Sequence, residues 1–320
     1  MTPKPMCLPC MRGSGRHMSG EKLRASGGAS LLTERAVAEL RESKALAKLV
    51  DELRQREAAL ACRLREAGPA HVRFACESCI ADMLGSEAAL LRGADSRQSK
   101  EPEPGDEVGA SVFAQAILTL RGTPKMALRR REAREAARAY AYLSAERPLV
   151  PQRAGDFQTL WEIAQEGEPR LSMKFPSSEF RTGTSFIIDE EAPDGCLRLN
   201  TSPENIVREL EELVVFLRDE TLMDEARAAA AYASCMFTHP FDDGNGHAGR
   251  LLMLFAMAPG YSLLTNVCVS RTLAVRRKDL GDAVQLLYEG ASTLAEFCLF
   301  ALGFLYGTHR EAAILLDSAR

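Results

Sequence analysis

The chain contains no uninterrupted apolar run of 18 residues: charge or glycine breaks every such stretch, which excludes a membrane-spanning helix. Surplus positive charge is missing as well. With 40 Lys and Arg against 44 Asp and Glu, the net charge is −4 and the pI is near 5.9. No nucleic-acid partner and no anionic membrane partner is therefore expected. Residues 1–30 lack the apolar core of a secretory signal. Rich in Gly, Ser, Pro, Lys and Arg and without periodicity, they read as a disordered tail. No internal repeat is present. Cysteine is not scarce, but its nine copies are an odd number scattered through helical stretches, which suits reduced thiols and a cytoplasmic location. Two C-x-x-C pairs, Cys7/Cys10 and Cys76/Cys79, carry enough sulfur for zinc but lie 65 residues apart. Compact zinc sites space their pairs by about 15–20 residues, so buried or incidental thiols are the better reading.

What remains is a helical pattern long enough for one large core plus an appended segment. The division expected is a tail at 1–30, an N-terminal helical segment and linker at 31–110, and a main domain at 111–320. Leu46, Leu49, Val50, Leu53, Leu60 and Leu64 mark a helix over 31–67, stopped by Gly68-Pro69. A second helix is expected at about 72–92. Residues 93–109, polar with prolines and glycines, form a linker. Residues 129–146 form a charged, alanine-rich scaffold helix. Ser202 reads as an N-cap with Pro203 as the first helical residue, followed by a stripe of Ile206, Leu210, Leu213, Val214 and Leu217. Helices at 279–288 and 293–306 close the core.

Chemistry concentrates in His239-Pro240-Phe241-Asp242-Asp243-Gly244-Asn245-Gly246-His247-Ala248-Gly249-Arg250. The alanine-rich run 224–238 favours helix, Pro240 cannot extend it, and Gly244 and Gly246 permit a tight loop. A second apolar run, 251–257, restarts a helix whose free N–H groups and dipole attract anions. Asp243 is a hard oxygen ligand suited to Mg²⁺. Arg250 shares a helical side with His247 and is placed to clamp a phosphate. His239, with a reference pKa of about 6.5, is a candidate general base.

The stretch resembles the signature of the Fic family, H-P-F-x-D/E-G-N-G-R-x-x-R. Eight positions match: His239, Pro240, Phe241, Asp243, Gly244, Asn245, Gly246 and Arg250. The resemblance implies an all-α fold, a mainly helical Fic-like core, with a small β-hairpin flap. It also implies transfer of AMP from ATP to a Ser, Thr or Tyr hydroxyl of a target protein. His239 would deprotonate that hydroxyl and Asp243 would hold Mg²⁺. Gly244, Asn245 and Gly246 would cradle the α- and β-phosphates, Arg250 would meet the γ-phosphate, and Phe241 would anchor the loop. One position departs: the family's first arginine is His247, a shorter, mostly neutral group at pH 7. Losing one charge-assisted bond costs on the order of 1.5–3 kcal/mol. That departure keeps two rivals open: the same fold with another nucleotide donor or the reverse reaction, and a degenerate form that binds nucleotide or partner without transfer.

Residues 178–188 resemble the family's G-x-F-R-x-x-x-V-x-I segment, with Ser178 in the glycine's place. The implied flap, with Thr182, Gly183 and Thr184 at the target, would pair with target backbone by strand addition. Many relatives also carry an inhibitory helix, S/T-x-x-x-E-G/N, whose glutamate pairs with the motif's last arginine. Ser78 and Asp82 give S-x-x-x-D-M here, one methylene short. An alternative register puts Ala81 at the glutamate's place. Either way, weak autoinhibition at most is expected. The sequence leaves the target protein and any homo-oligomer open.

Overall fold

A computed structural model of the chain describes residues 30–84, 127–166, 178–188 and 197–319. The fold is all-α with one two-stranded hairpin. The N-terminal stretch read as one helix is two, α1 (Glu34–Glu42) and α2 (Lys44–Ala67). Ser43 separates them because its hydroxyl accepts the Leu46 N–H and caps the second. The other helices are α3 (Pro69–Leu84), α4 (Ala127–Ser144), α5 (Asp156–Gln165), α6 (Ile206–Leu217) and α7 (Asp224–Thr238). They continue with α8 (Asn245–Met257), α9 (Leu263–Val275), α10 (Arg277–Tyr288), α11 (Leu294–Gly303) and α12 (Thr308–Ser318). Strands β1 (Phe186–Ile188) and β2 (Leu197–Leu199) pair antiparallel, with Ile187 opposite Arg198. No described helix is long and apolar enough to cross a membrane.

Helix α7 is the central element because its alanines are small enough to let helices approach from every side. Ala226, Ala228, Ala229, Ala230, Ala231 and Ala233 are all fully buried. On α8, a β-carbon at Gly249 would come within 3.1 Å of the Tyr232 ring, so the two helices that flank the motif cross closely. Helices α1 and α2 add Leu40, Leu46, Val50 and Leu53 to this same core. Two buried carboxylates on or against α2 tie it down. Glu225 receives the Arg54 Nε at 2.9 Å and the Tyr261 hydroxyl at 2.9 Å. Glu57 accepts from the Ser262 N–H and the Thr265 hydroxyl, each at 2.7 Å.

A second apolar cluster gathers α3, α4, α9 and α12 around Ile80, Ala137, Tyr140, Val267 and Leu316. Within it α4 is buried continuously from Ala133 to Tyr140. The expected scaffold helix thus carries Glu135 and Arg138 inside the protein. Cys76, Cys79 and Cys268 lie in this cluster as free thiols, the last two 4.0 Å apart. Among the described residues no group of side chains is arranged to hold a metal ion, and Cys7 and Cys10 fall outside those residues.

Candidate active site

The motif forms the turn between α7 and α8. His239 terminates α7 in the left-handed region (φ 47°, ψ 59°), its N–H donating to the Cys235 carbonyl at 2.9 Å. Non-glycine residues seldom adopt this conformation, and the surroundings enforce it here. Arg181, nearly buried, runs along the turn and donates to the carbonyls of His239 (2.6 Å), Gly183 (2.8 Å), Thr238 (3.1 Å) and Thr201. Its own N–H reaches the Pro240 carbonyl at 2.9 Å. One guanidinium therefore fastens the base of the hairpin to the motif loop. This arginine is the R of the G-x-F-R pattern in the flap segment, but that pattern gave no sign that its side chain reaches carbonyls of the motif loop.

The imidazole of His239 is half-buried beside the Met236 carbonyl. Burial pushes its pKa down to about 4, and the Arg181 charge adds to that. The Met236 carbonyl and Asp243 oppose the shift without cancelling it. The ring is consequently neutral across the physiological range, the protonation state a proton acceptor requires. The Tyr288 hydroxyl lies 3.0 Å from the same Met236 carbonyl and 2.8 Å from Asn200 Oδ1, sharing its one proton between them. The flap's return strand is thus bound to the end of α7.

Phe241 anchors the loop as expected: it is fully buried, with the Trp161 and Phe180 rings each 5.7 Å away. The Asn245 side chain braces the loop. Its Oδ1 accepts the Phe241 N–H at 2.9 Å and its Nδ2 donates to the Phe241 carbonyl at 2.8 Å. The amide closes the loop on itself and leaves only the residue's main chain for a ligand. Gly244 sits at φ 80°, where a β-carbon would strike Gln165 Nε2 at 2.2 Å and Trp161 Nε1 at 2.7 Å. That indole donates to the Asp243 carbonyl at 2.7 Å, a further support that the sequence alone did not reveal. Helix α8 starts at Asn245, earlier than the apolar run suggested. Among the described residues no acceptor meets the Asn245 and Gly246 N–H groups, which leaves a helix terminus able to bind an anion. Asp243 is exposed beside it, with one carboxylate oxygen on the Gly244 N–H at 2.7 Å.

His247 and Arg250 are both buried and both face Glu135 of α4. Arg250 donates from Nε at 2.9 Å and also from Nη2, while His247 Nδ1 lies 3.0 Å from the same carboxylate. Burial alone would raise the Glu135 pKa, but the Arg250 charge and the His247 hydrogen bond hold it well below the usual carboxylate range. The cavity these groups line measures only about 10 Å³. This corrects the expectation at Ser78 and Asp82. Asp82 is exposed on α3, and the carboxylate on the motif's last arginine comes from Glu135, in the run Arg131-Glu132-Ala133-Arg134-Glu135-Ala136. Alanine replaces the Gly or Asn after the glutamate and arginine replaces the Ser or Thr four before it, so the pattern was not legible. Thr182, Gly183 and Thr184 lie exposed at the foot of β1.

Fold and site together define a helical domain that displays a histidine next to a helix terminus built for an anion. Residues 185–257 match the Fic/DOC family. The protein adenylyltransferase fic-1 of Caenorhabditis elegans is 41% identical over 64 residues, and the protein of the same name from Caenorhabditis briggsae is 39% identical over 64 residues. Each alignment covers 19% of this chain and 13% of the relative, so the likeness spans about an eighth of those proteins' length. Among solved structures, a Fic family protein from Desulfovibrio desulfuricans G20 aligns over 85% of this chain and 75% of its own. Its TM-score is 0.51 and its identity 17%, a likeness of fold. Residues 185–257 therefore carry a Fic/DOC family match, set within a fold like that of a Fic family protein.

Proposed function

We propose that this chain is a Mg²⁺-dependent transferase that moves AMP from ATP to a Ser, Thr or Tyr hydroxyl of a target protein. The observation that carries the reading is the pairing of a neutral His239 with the open Asn245 and Gly246 N–H groups on one braced turn. His239 accepts the hydroxyl proton as the oxygen attacks the α-phosphorus. The bond from that phosphorus to the bridging oxygen breaks, and pyrophosphate leaves. The main chain of residues 244–246 receives the phosphates, and Arg250 takes the far end of the nucleotide. The exposed Asp243, beside those donors, fits a hard cation. Mg²⁺, when bound, supplies positive charge on the phosphate oxygens. Exposed residues 182–184 offer backbone to a target strand. Catalysis of this kind rests on positioning and fixed electrostatics.

In the arrangement described, Glu135 holds Arg250, so nucleotide must displace a carboxylate to bind fully. Autoinhibition is accordingly stronger than the sequence suggested. The test is incubation of a Glu135→Ala variant with cell lysate and ATP labelled at the α-phosphate. Transfer of label to protein, abolished by a further His239→Ala change, supports the assignment. No label, or label that survives the histidine change, overturns it.

A further inference from the structure

Helices α3 and α9 come from opposite thirds of the chain, yet they bring two thiols into contact. Cys79 Sγ and Cys268 Sγ lie 4.0 Å apart across a separation of 189 residues, and both side chains are fully buried. The partner of Cys79 is thus a distant thiol and not its C-x-x-C neighbour Cys76. The two sulfurs differ in their surroundings. Cys268 is held well above its ordinary pKa, first by its hydrogen bond with Cys79 and then by burial, so it keeps its proton and donates to Cys79. Cys79 receives a second donor, the guanidinium of Arg271, one turn beyond Cys268 on α9. Arg271 also donates to Glu311 of α12, and its side chain is 31% exposed, so it stands between the buried sulfurs and solvent. A cation beside a sulfur steadies the negative charge that an attacking thiolate carries. Burial keeps the nearby Cys76 protonated.

We propose that Cys79 and Cys268 form a redox-active pair that is oxidised by a small peroxide, with Cys79 the attacking sulfur and Cys268 the resolving one. The Cys79 thiolate attacks one oxygen of hydrogen peroxide, the O–O bond breaks, and the departing hydroxide takes up a proton to give water. Cys79 is then a sulfenic acid. Cys268 attacks that sulfur, the S–O bond breaks, and the hydroxyl leaves with the Cys268 proton as a second water. The two thiols lose two electrons to become a disulfide, the peroxide gains them, and an added dithiol reverses the bond. Helices α3 and α9 both pack against α4, so the bond joins the two helices that bed the one carrying Glu135.

The experiment exposes the full chain, first reduced, to hydrogen peroxide, blocks the remaining thiols and digests the protein without reductant for mass spectrometry. A peptide pair joining Cys79 to Cys268 should appear, and dithiothreitol should abolish it. The oxidised protein should melt about 5 °C or more above the same sample after dithiothreitol, because the bond closes a long loop. In Cys268→Ser, the sulfenic-acid reagent dimedone should label Cys79, whereas Cys79→Ser should leave Cys268 unlabelled. Arg271→Gln should slow formation of the pair by about fivefold or more. Cys79 and Cys268 left unlinked after peroxide, a bond from Cys79 to Cys76 in their place, or sulfenic acid on Cys268 would each overturn the proposal. So would a bond that lowers the melting temperature, or one that forms equally fast in Arg271→Gln. If a variant fails to fold, the wild-type peptide map and melting curves decide the matter without it.

Discussion

Glu135 of α4 and Arg250 of α8, 115 residues apart in the chain, meet in a buried two-pronged ion pair with Nε to Oε2 at 2.9 Å. His247 adds a third contact at 3.0 Å. Removing the carboxylate should have opposite effects on folding and on chemistry. Glu135→Ala strips a buried guanidinium of its counter-charge, which costs about 3 kcal/mol of stability. The same change opens the phosphate end of the site, so protein labelling by ATP should rise about tenfold or more. Thermal unfolding with and without Mg·ATP, alongside labelling rates, checks both signs. Lowered Tm with unchanged labelling would reduce Glu135 to a structural role.

The depressed pKa of His239 sets a pH dependence. A free imidazole loses its ability to accept a proton below about pH 6.5. Held at about 4 by burial and Arg181, this ring should stay competent well below that. The kcat/KM for labelling should be flat from neutral pH down to about 5, with its acid limb centred near 4. The stability effect has a definite sign. The folded form binds fewer protons than the unfolded chain, so this contribution is full above about 6.5 and falls away as pH drops toward 4. An acid limb at 6.5 in the kinetics would mean that the ring is more solvated than its surroundings here indicate.

Gly244 should not tolerate a side chain. Its φ of 80° and the indole and amide within 3 Å of a β-carbon set two separate penalties. Gly244→Ala should cost about 1–3 kcal/mol from backbone strain alone. It should also displace Trp161 from the Asp243 carbonyl, raising the KM for Mg·ATP more than it alters global unfolding. Denaturant melts together with Mg²⁺ titrations of the labelling rate measure both.

Asn245→Asp tests whether the amide is a brace. The new carboxylate still accepts the Phe241 N–H, but it presents oxygen to the Phe241 carbonyl where Nδ2 now donates at 2.8 Å. A lost hydrogen bond plus a buried repulsion should cost about 2–3 kcal/mol. Labelling should collapse along with protection of the loop amides in hydrogen exchange. Unchanged exchange with lost labelling would instead return the side chain to the ligand.

Which parts of this site the sequence disclosed follows from how local each interaction is. The motif was legible because His239, Asp243, Gly244 and Gly246 act through their own backbone and near neighbours. The central helix was equally plain: 224–238 contains no breaker before Pro240, and α7 ends at Thr238. Helix α4 was anticipated at nearly its true bounds, yet its task was missed. It was read as a charged, alanine-rich scaffold, while the packing of α3 and α9 buries Glu135 and Arg138. The brake was sought at Asp82 because the spacing from Ser78 came near the expected pattern. The true partner of Arg250 has no such spacing and is defined only by a helix crossing. The role of Arg181 and the part played by Trp161 were hidden for a related reason: each binds main-chain carbonyls, which have no residue-type signature.

The left-handed twist at the end of α7 holds strain in the backbone of His239. Glycine is the residue that ordinarily closes a helix in that geometry, since any β-carbon there is crowded. Histidine occupies it at φ 47°. Replacing His239 by glycine should therefore yield a sturdier but inert protein, melting higher by about the strain of 1 kcal/mol released. Selection for durability alone would favour that exchange, so the imidazole persists at a position where the backbone itself would discard it.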